Sequence, residues 1–403
     1  MKGYKSLNNI EMEPSALNIL IGPNRSGKTN FLDLFDFLRE AMEGKFMEAV
    51  RRRNGIGEII YKNSDEKIFE IGVLFDFKNF LEIIKREGLR LFEGFPKYPI
   101  YCLSVSNNLG LPLIEEESLR LTSITLLSRR HKVSNGTHSA VFFSKDERIQ
   151  DIIEGKGIGL KQIEPEELAI AQVLDKSNYP LPYIFVEWVK QWKVYKVCDV
   201  GENAEVRKPQ TVMPLAPLEP DLRNLTNIIH NLYLERSKLR GYLQEIEETI
   251  RQVFPEFEGF EFRSDIGYGK IALKWKSKFF KDAEDMAVLS DGTIRFLALV
   301  TLLNLPDPPP VICIDEPEIG LHPKMMMYLA EQMKAASDHS QLFVATHSPD
   351  LLRFMDPSSV WIFDLEDGET TIKNLSEQKE IEKWLKEYTL EELWKMGIIG
   401  EKE

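Results

Sequence analysis

One stretch near the start of the chain constrains the fold more than any other: Gly22-Pro23-Asn24-Arg25-Ser26-Gly27-Lys28-Thr29 matches GxxxxGK[ST] in full. A short apolar run, residues 16–21, precedes it and ends on Gly22, as a buried strand would. Behind it, residues 28–46 place Phe31, Leu34, Phe35, Leu38, Met42 and Phe46 at helical spacing, which predicts one amphipathic helix. Strand, glycine-rich turn and helix in that order give the motif its physical meaning. The glycines let backbone N–H groups curl around phosphate oxygens, and the helix start adds unpaired donors and the positive end of a dipole. The pattern assigns Lys28 to the β- and γ-phosphates of a nucleotide and the Thr29 hydroxyl to Mg²⁺.

A second apolar run, Val311-Ile312-Cys313-Ile314, ends in Asp315-Glu316. A buried strand tip holds Asp315 rigidly where it orients a Mg²⁺ water, and Glu316 sits where a general base would polarise an attacking water. A third strand-like run, residues 341–346, is followed by His347, a γ-phosphate sensor if its strand is the next in a parallel sheet. Ser290-Asp291-Gly292-Thr293 precedes the nearly all-apolar residues 294–303. In isolation it reads as an ordinary helix N-cap and turn, and its order among the other motifs gives it further meaning.

The rest of the chain bounds the answer. At 403 residues it exceeds the roughly 250–300 at which single cores stop growing, so a composite domain or two domains are expected. Residues 56–145 look like strands joined by turns, clearest at 68–75 and 119–127. Residues 220–254 turn helical, a short arm with no room for a long coiled coil, and a hairpin is expected around Gly267-Tyr268-Gly269. Lys+Arg total 51 against 64 Asp+Glu, a net charge of −13, so any nucleic-acid contact must come from a local patch such as Arg51-Arg52-Arg53 or Arg129-Arg130-His131-Lys132. The cysteines Cys102, Cys198 and Cys313 lie far apart, which argues against a zinc site or a disulfide framework. No apolar stretch of about 18 residues appears, so no membrane span and a cytoplasmic place are expected.

The order of these motifs resembles ABC-type ATPases, and within them the SMC/RecF/OLD branch of compact AAA-type heads. The resemblance rests on Gly22 through Thr29 with Asn30 after the Thr, on Asp315-Glu316-Pro317-Glu318-Ile319-Gly320-Leu321-His322-Pro323, and on Thr346-His347-Ser348-Pro349. The tail Tyr388-Thr389-Leu390-Glu391-Glu392-Leu393-Trp394, then Gly397-Ile398-Ile399-Gly400, is similar to the end of that group; the middle of the chain matches weakly.

That resemblance implies an α/β fold, an ABC-type P-loop head with a mixed or parallel core sheet, a β-rich lobe and a helical lobe. It divides the chain into 1–160, 161–280 and 281–403. It implies ATP and Mg²⁺ as ligands and a second copy of the chain as partner, with Ser290, Asp291, Gly292 and Thr293 acting on the ATP of that second copy. Gly320, Leu321 and His322 would line the dimer interface. A metal-side glutamine is expected after the β-rich lobe, with Gln172 as candidate and Gln162 as the alternative. Ser-Asp-Gly-Thr departs from the transporter pattern, which weighs against transport. The 56 residues after His347 are too few for the nuclease domain of OLD proteins, so a nuclease or other effector is expected on a separate chain. Two outputs stay open: a DNA-related process, repair or defence, or a switch acting on a protein partner without DNA.

Overall fold

The computed structural model describes residues 1–75, 99–121, 124–130, 139–142, 160–164, 166–176, 179–196, 199–235, 239–264, 267 and 269–399. The chain forms two compact units, each discontinuous in sequence. Unit 1 is Met1–Met12, Asp33–Trp192 and Leu365–Thr371; unit 2 is Glu13–Leu32, Lys193–Asp364 and Ile372–Glu403.

Unit 2 is built on strands β1 (Leu17–Ile21), β8 (Lys193–Tyr195), β13 (Val311–Asp315), β14 (Gln341–Ala345) and β15 (Val360–Glu366), ordered β15-β1-β14-β13-β8. Every pairing among these five is parallel, and β16 (Glu369–Asn374) adds a sixth strand beyond β15. Parallel sheets are covered on both faces, so their strands read as continuous apolar runs rather than alternating ones. All five residues of β1 are buried, as are the first four of β13.

Helix α1 (Lys28–Met42) leaves the end of β1. Helices α4 (Leu225–Leu234), α5 (Arg240–Val253), α6 (Asp291–Leu303) and α7 (Pro323–Ala336) share one core with the sheet, including Ile228, Ile246, Leu297, Leu329, Ile312 and Val344. An antiparallel set, β10 (Phe257–Arg263), β11 (Lys270–Ser277) and β12 (Glu284–Asp285), with β9 (Gln210–Thr211) beside β11, precedes α6.

Unit 1 is a meander. Strands β2 (Ile68–Leu74), β3 (Pro99–Asn108), β4 (Leu111–Leu121), β5 (Ile124–Arg130), β6 (Ser139–Phe142) and β7 (Leu160–Gln162) pair antiparallel in chain order. Tyr101 and Phe75 pack with Phe185 and Trp188 of helix α3 (Pro180–Lys190).

Three sequence expectations change in detail. The helix expected over 28–46 ends at Met42, and a new one, α2 (Phe46–Arg52), follows Gly44, whose φ of +78° suits glycine. The helical stretch 220–254 is α4 and α5 rather than one arm, because folding back lets Ile228, Ile229, Ile246 and Ile250 reach the same core. The strand expected over 119–127 is the end of β4 and the start of β5, with residues 122 and 123 outside the described residues. The hairpin expected near residue 268 is the β10–β11 pair, Tyr268 itself lying outside the described residues.

Candidate active site

The sheet order decides where the motifs meet. Strands β1, β14 and β13 are neighbours, and Ala345 is the register partner of both Leu20 and Asp315. The three chains leave the sheet at one level: β1 into the phosphate loop, β13 into Glu316, β14 into Thr346 and His347. The Thr346 N–H donates to Leu20 O at 3.1 Å and the Glu316 N–H to Ala345 O at 2.8 Å, so the pairing runs one step past the strands. Ligands of parallel α/β sheets sit outside such carboxyl ends.

The loop from Gly22 to Thr29 is held by its own polar atoms. Lys28 is buried, and its Nζ donates to Gly22 O at 2.7 Å and Pro23 O at 2.9 Å. Gly27 has a φ of +104° and Arg25 a φ of +68°, positive values that ordinary helix and strand backbone does not adopt. Gly22 is required for space: a Cβ there would lie 1.9 Å from the backbone oxygen of Phe363 in β15. Asn24 and Arg25 are exposed, Pro23 is half-buried and Ser26 buried.

Across from this loop, the Thr29 hydroxyl donates to Asp315 Oδ2 at 3.4 Å. Burial pushes the Asp315 carboxyl above the ordinary aspartate range and Glu316 adds to the push, while Thr29, Lys196 and Lys28 oppose it. Glu316 has a φ of +51°, a conformation side-chain-bearing residues rarely adopt, and such departures cluster at functional sites. Glu318 was not singled out for a role by the sequence. Its Oε1 accepts from the His347 N–H at 2.7 Å, tying the turn after β13 to the turn after β14. Burial pushes that carboxyl up as well, against the pull of the His347 N–H.

Ser290 caps α6, its Oγ accepting from the Thr293 N–H at 3.1 Å. Gly292 lies against the turn after β13, where a Cβ would stand 2.3 Å from Gly320 O. Arg295 Nη1 donates to Ile319 O at 2.9 Å in the same contact. Gly320 has a φ of +76°, Leu321 is half-buried, and exposed His322 caps α7 by accepting from the Lys324 N–H at 3.1 Å. A second residue without a sequence signal, Arg207, donates to the carbonyls of Met286, Ala287 and Leu289 and to Asp291. All of these belong to unit 2, as does Asn30.

The glutamine candidates belong to unit 1: Gln162 ends β7, and Gln172 ends a 3-10 turn, its amide donating to Glu167 Oε2 at 3.3 Å. The basic cluster at 51–53 is split between one buried and two exposed side chains. Arg53 is buried against Asp33 and Glu40, while Arg51 and Arg52 are exposed, Arg52 pairing with the same Glu40. In the second cluster Arg129 and Arg130 stand opposite Glu117 and Glu116, while His131 and Lys132 lie outside the described residues.

A family model described as "AAA domain, putative AbiEii toxin, Type IV TA system" matches residues 17–102 and 194–353. The chain belongs to this family. The AAA-domain fold is also that of solved SMC heads. An SmcHead bound to the C-winged helix domain of ScpA aligns with a TM-score of 0.53 at 16% identity, covering 93% of this chain and 97% of that one. An Smc head with an extended coiled coil, bound to the C-terminal domain of ScpA and derived from Pyrococcus furiosus, gives 0.53 at 14%, covering 96% and 98%. At such identities the likeness is one of fold. Endonuclease GajA of Bacillus cereus (strain VD045) is 26% identical over 144 residues, 34% of this chain and 25% of GajA, so the match spans a quarter of that protein. The family makes this AAA-domain chain an ATPase, and its fold is that of SMC heads.

The residues present suit MgATP. Thr29 and Asp315 offer two hard oxygen donors side by side, and a divalent cation relieves the penalty that burial and Glu316 impose on the Asp315 charge. Thr29 and Asp315 would hold Mg²⁺, which supplies charge neutralisation at the phosphates. Lys28 and the first turn of α1 would bind and orient the polyphosphate.

Proposed function

We propose that this ATPase is a switch whose active sites are composite. Two copies enclose two MgATP, each held by one copy's Gly22–Thr29 loop and closed by the other copy's Ser290–Thr293 segment, with Gly320, Leu321 and His322 at the interface. Glu316 polarises the attacking water, His347 reads the γ-phosphate, and hydrolysis separates the copies. The observation that carries the reading is the convergence of Lys28, Asp315, Glu316 and His347 on the ends of three adjacent parallel strands.

The output we propose is a DNA-directed process, repair or defence against foreign DNA, with a nuclease or other effector engaged through the switch. Similarity to a protein named an endonuclease supports it. The net charge of −13 favours the second reading, a switch acting on a protein partner without DNA.

The test is Glu316→Gln. Turnover should fall by about 10²- to 10⁴-fold while ATP binding persists, and ATP should then trap dimers by mass measurement. Normal turnover in the variant, or ATP-independent mass in both proteins, overturns the mechanism. Protein or nucleic acid retained on the trapped form distinguishes the two outputs.

A further inference from the structure

Arg207 ends a 3-10 turn, Glu205–Arg207, in the chain between β8 and β9, far in sequence from every motif described above. Its side chain is 5% exposed. Nε donates to Val200 O at 2.7 Å. Nη1 reaches Met286 O at 3.0 Å, Ala287 O at 3.1 Å and Leu289 O at 2.7 Å, and Nη2 reaches Asp291 Oδ1 at 2.6 Å. Four of these five contacts fall on residues 286–291, the approach to α6 and its first residue.

A guanidinium presents its donors in a rigid plane, so one side chain fixes several carbonyls relative to each other, which a lysine's point charge cannot do. Arg207 is buried, whereas Ser290 and Asp291 are exposed. A buried guanidinium thus fixes a loop whose Ser290 and Asp291 remain open to a second molecule. A loop already ordered loses less freedom when a second molecule docks on it, and that saving appears as affinity and rate.

We infer that Arg207 is a positioning residue for the Ser290–Thr293 segment, acting on the nucleotide bound by the other copy and not on the one bound by its own chain. The inference rests on the composite-site reading above. Arg207 touches no substrate; it presets the loop that does.

Mixing experiments separate the two claims. Arg207→Met alone should turn over ATP about ten-fold or more slowly, with unchanged affinity for a non-hydrolysable ATP analogue. Mixed with Lys28→Ala, whose own loop is dead but whose Ser290 segment is intact, it should regain up to about one quarter of wild-type turnover, since random pairing makes half the dimers mixed with one complete site each. The control mixture is Lys28→Ala with Ser290→Arg. Recovery in both mixtures supports the inference. Recovery in the control alone shows that Arg207 serves its own chain's site, and overturns it. Wild-type turnover of Arg207→Met does the same. No recovery in the control overturns the composite site and the inference with it. Arg207→Lys, which keeps the charge but loses the fork, goes through the same mixtures, so poor folding of the methionine variant does not end the test.

Discussion

Gly292→Ala should separate catalysis from nucleotide binding. The added Cβ would stand 2.3 Å from Gly320 O, against the 3.0 Å below which real Cβ atoms essentially never approach such a neighbour. Both partners are backbone, so no side chain can swing aside, and the start of α6 must part from the turn after β13 by about 0.7 Å. Overpacking of this kind costs about 1–3 kcal/mol, and a reacting group misplaced by about 1 Å loses on the order of 10²-fold in rate. The contact is further held by Arg295 on Ile319 O, so the strain lands on the segment carrying Glu316 and Glu318 rather than dissipating in solvent. Turnover should therefore drop by about 10- to 100-fold, while affinity for a non-hydrolysable analogue stays near wild type because the Gly22–Thr29 loop is untouched. Steady-state ATPase assays, analogue titration and thermal denaturation read the three quantities. Wild-type turnover in a folded Gly292→Ala protein would refute the argument that this close approach sets the geometry of the site.

Two further variants probe different parts of the molecule. Glu318→Ala leaves the His347 N–H without its carboxylate acceptor and should slow turnover about ten-fold or more, whereas Glu318→Gln keeps an acceptor oxygen and should recover most of it. Equal rates for the two, measured by steady-state assay, would show that the contact does not matter. In unit 1, burial pushes the Asp33 carboxyl up, but Arg53 and Lys5 pull it further down, and it ionises below the usual aspartate range in the folded chain. A lowered folded value stabilises the fold above the unfolded value of about 3.9, and that contribution is lost as pH falls through the folded value. Asp33→Asn should accordingly cost on the order of 3–5 kcal/mol near pH 7, with the gap to wild type closing in acid; melts across pH 3–7 that run parallel would contradict it.

What the sequence made legible is what it carries contiguously. The phosphate loop and the Asp315 strand stand out because each is a short run of fixed residue types bracketed by apolar residues, and a buried parallel strand needs no partner information to be seen. Arg207 was invisible for the opposite reason. Most of its acceptors are backbone carbonyls, which every residue possesses, and they lie about 80 positions away. Glu318 sits inside a recognised motif, yet its partner is the backbone N–H of His347, again a group without a sequence signature. Charge counting alone does not tell Arg53, which is buried, from Arg51 and Arg52, which are exposed. Asp33 and Glu40, on α1, neutralise Arg53 where it is buried. The break at Gly44 was written in the chain, but apolar periodicity ran through it to Phe46 and masked it.

Gly22 and Gly292 share a property that bears on how such a site can diverge. In each case the atom that a side chain would strike is a carbonyl oxygen, of Phe363 in one and of Gly320 in the other. A crowded side chain can be shortened by a second substitution, but a carbonyl is common to all amino acids. No change at 363 or 320 makes room, so neither glycine has a compensating partner in sequence space. Pocket lining, surface charge and loop length are free to drift around this active site, while these two positions can change only if the strand or turn beside them moves.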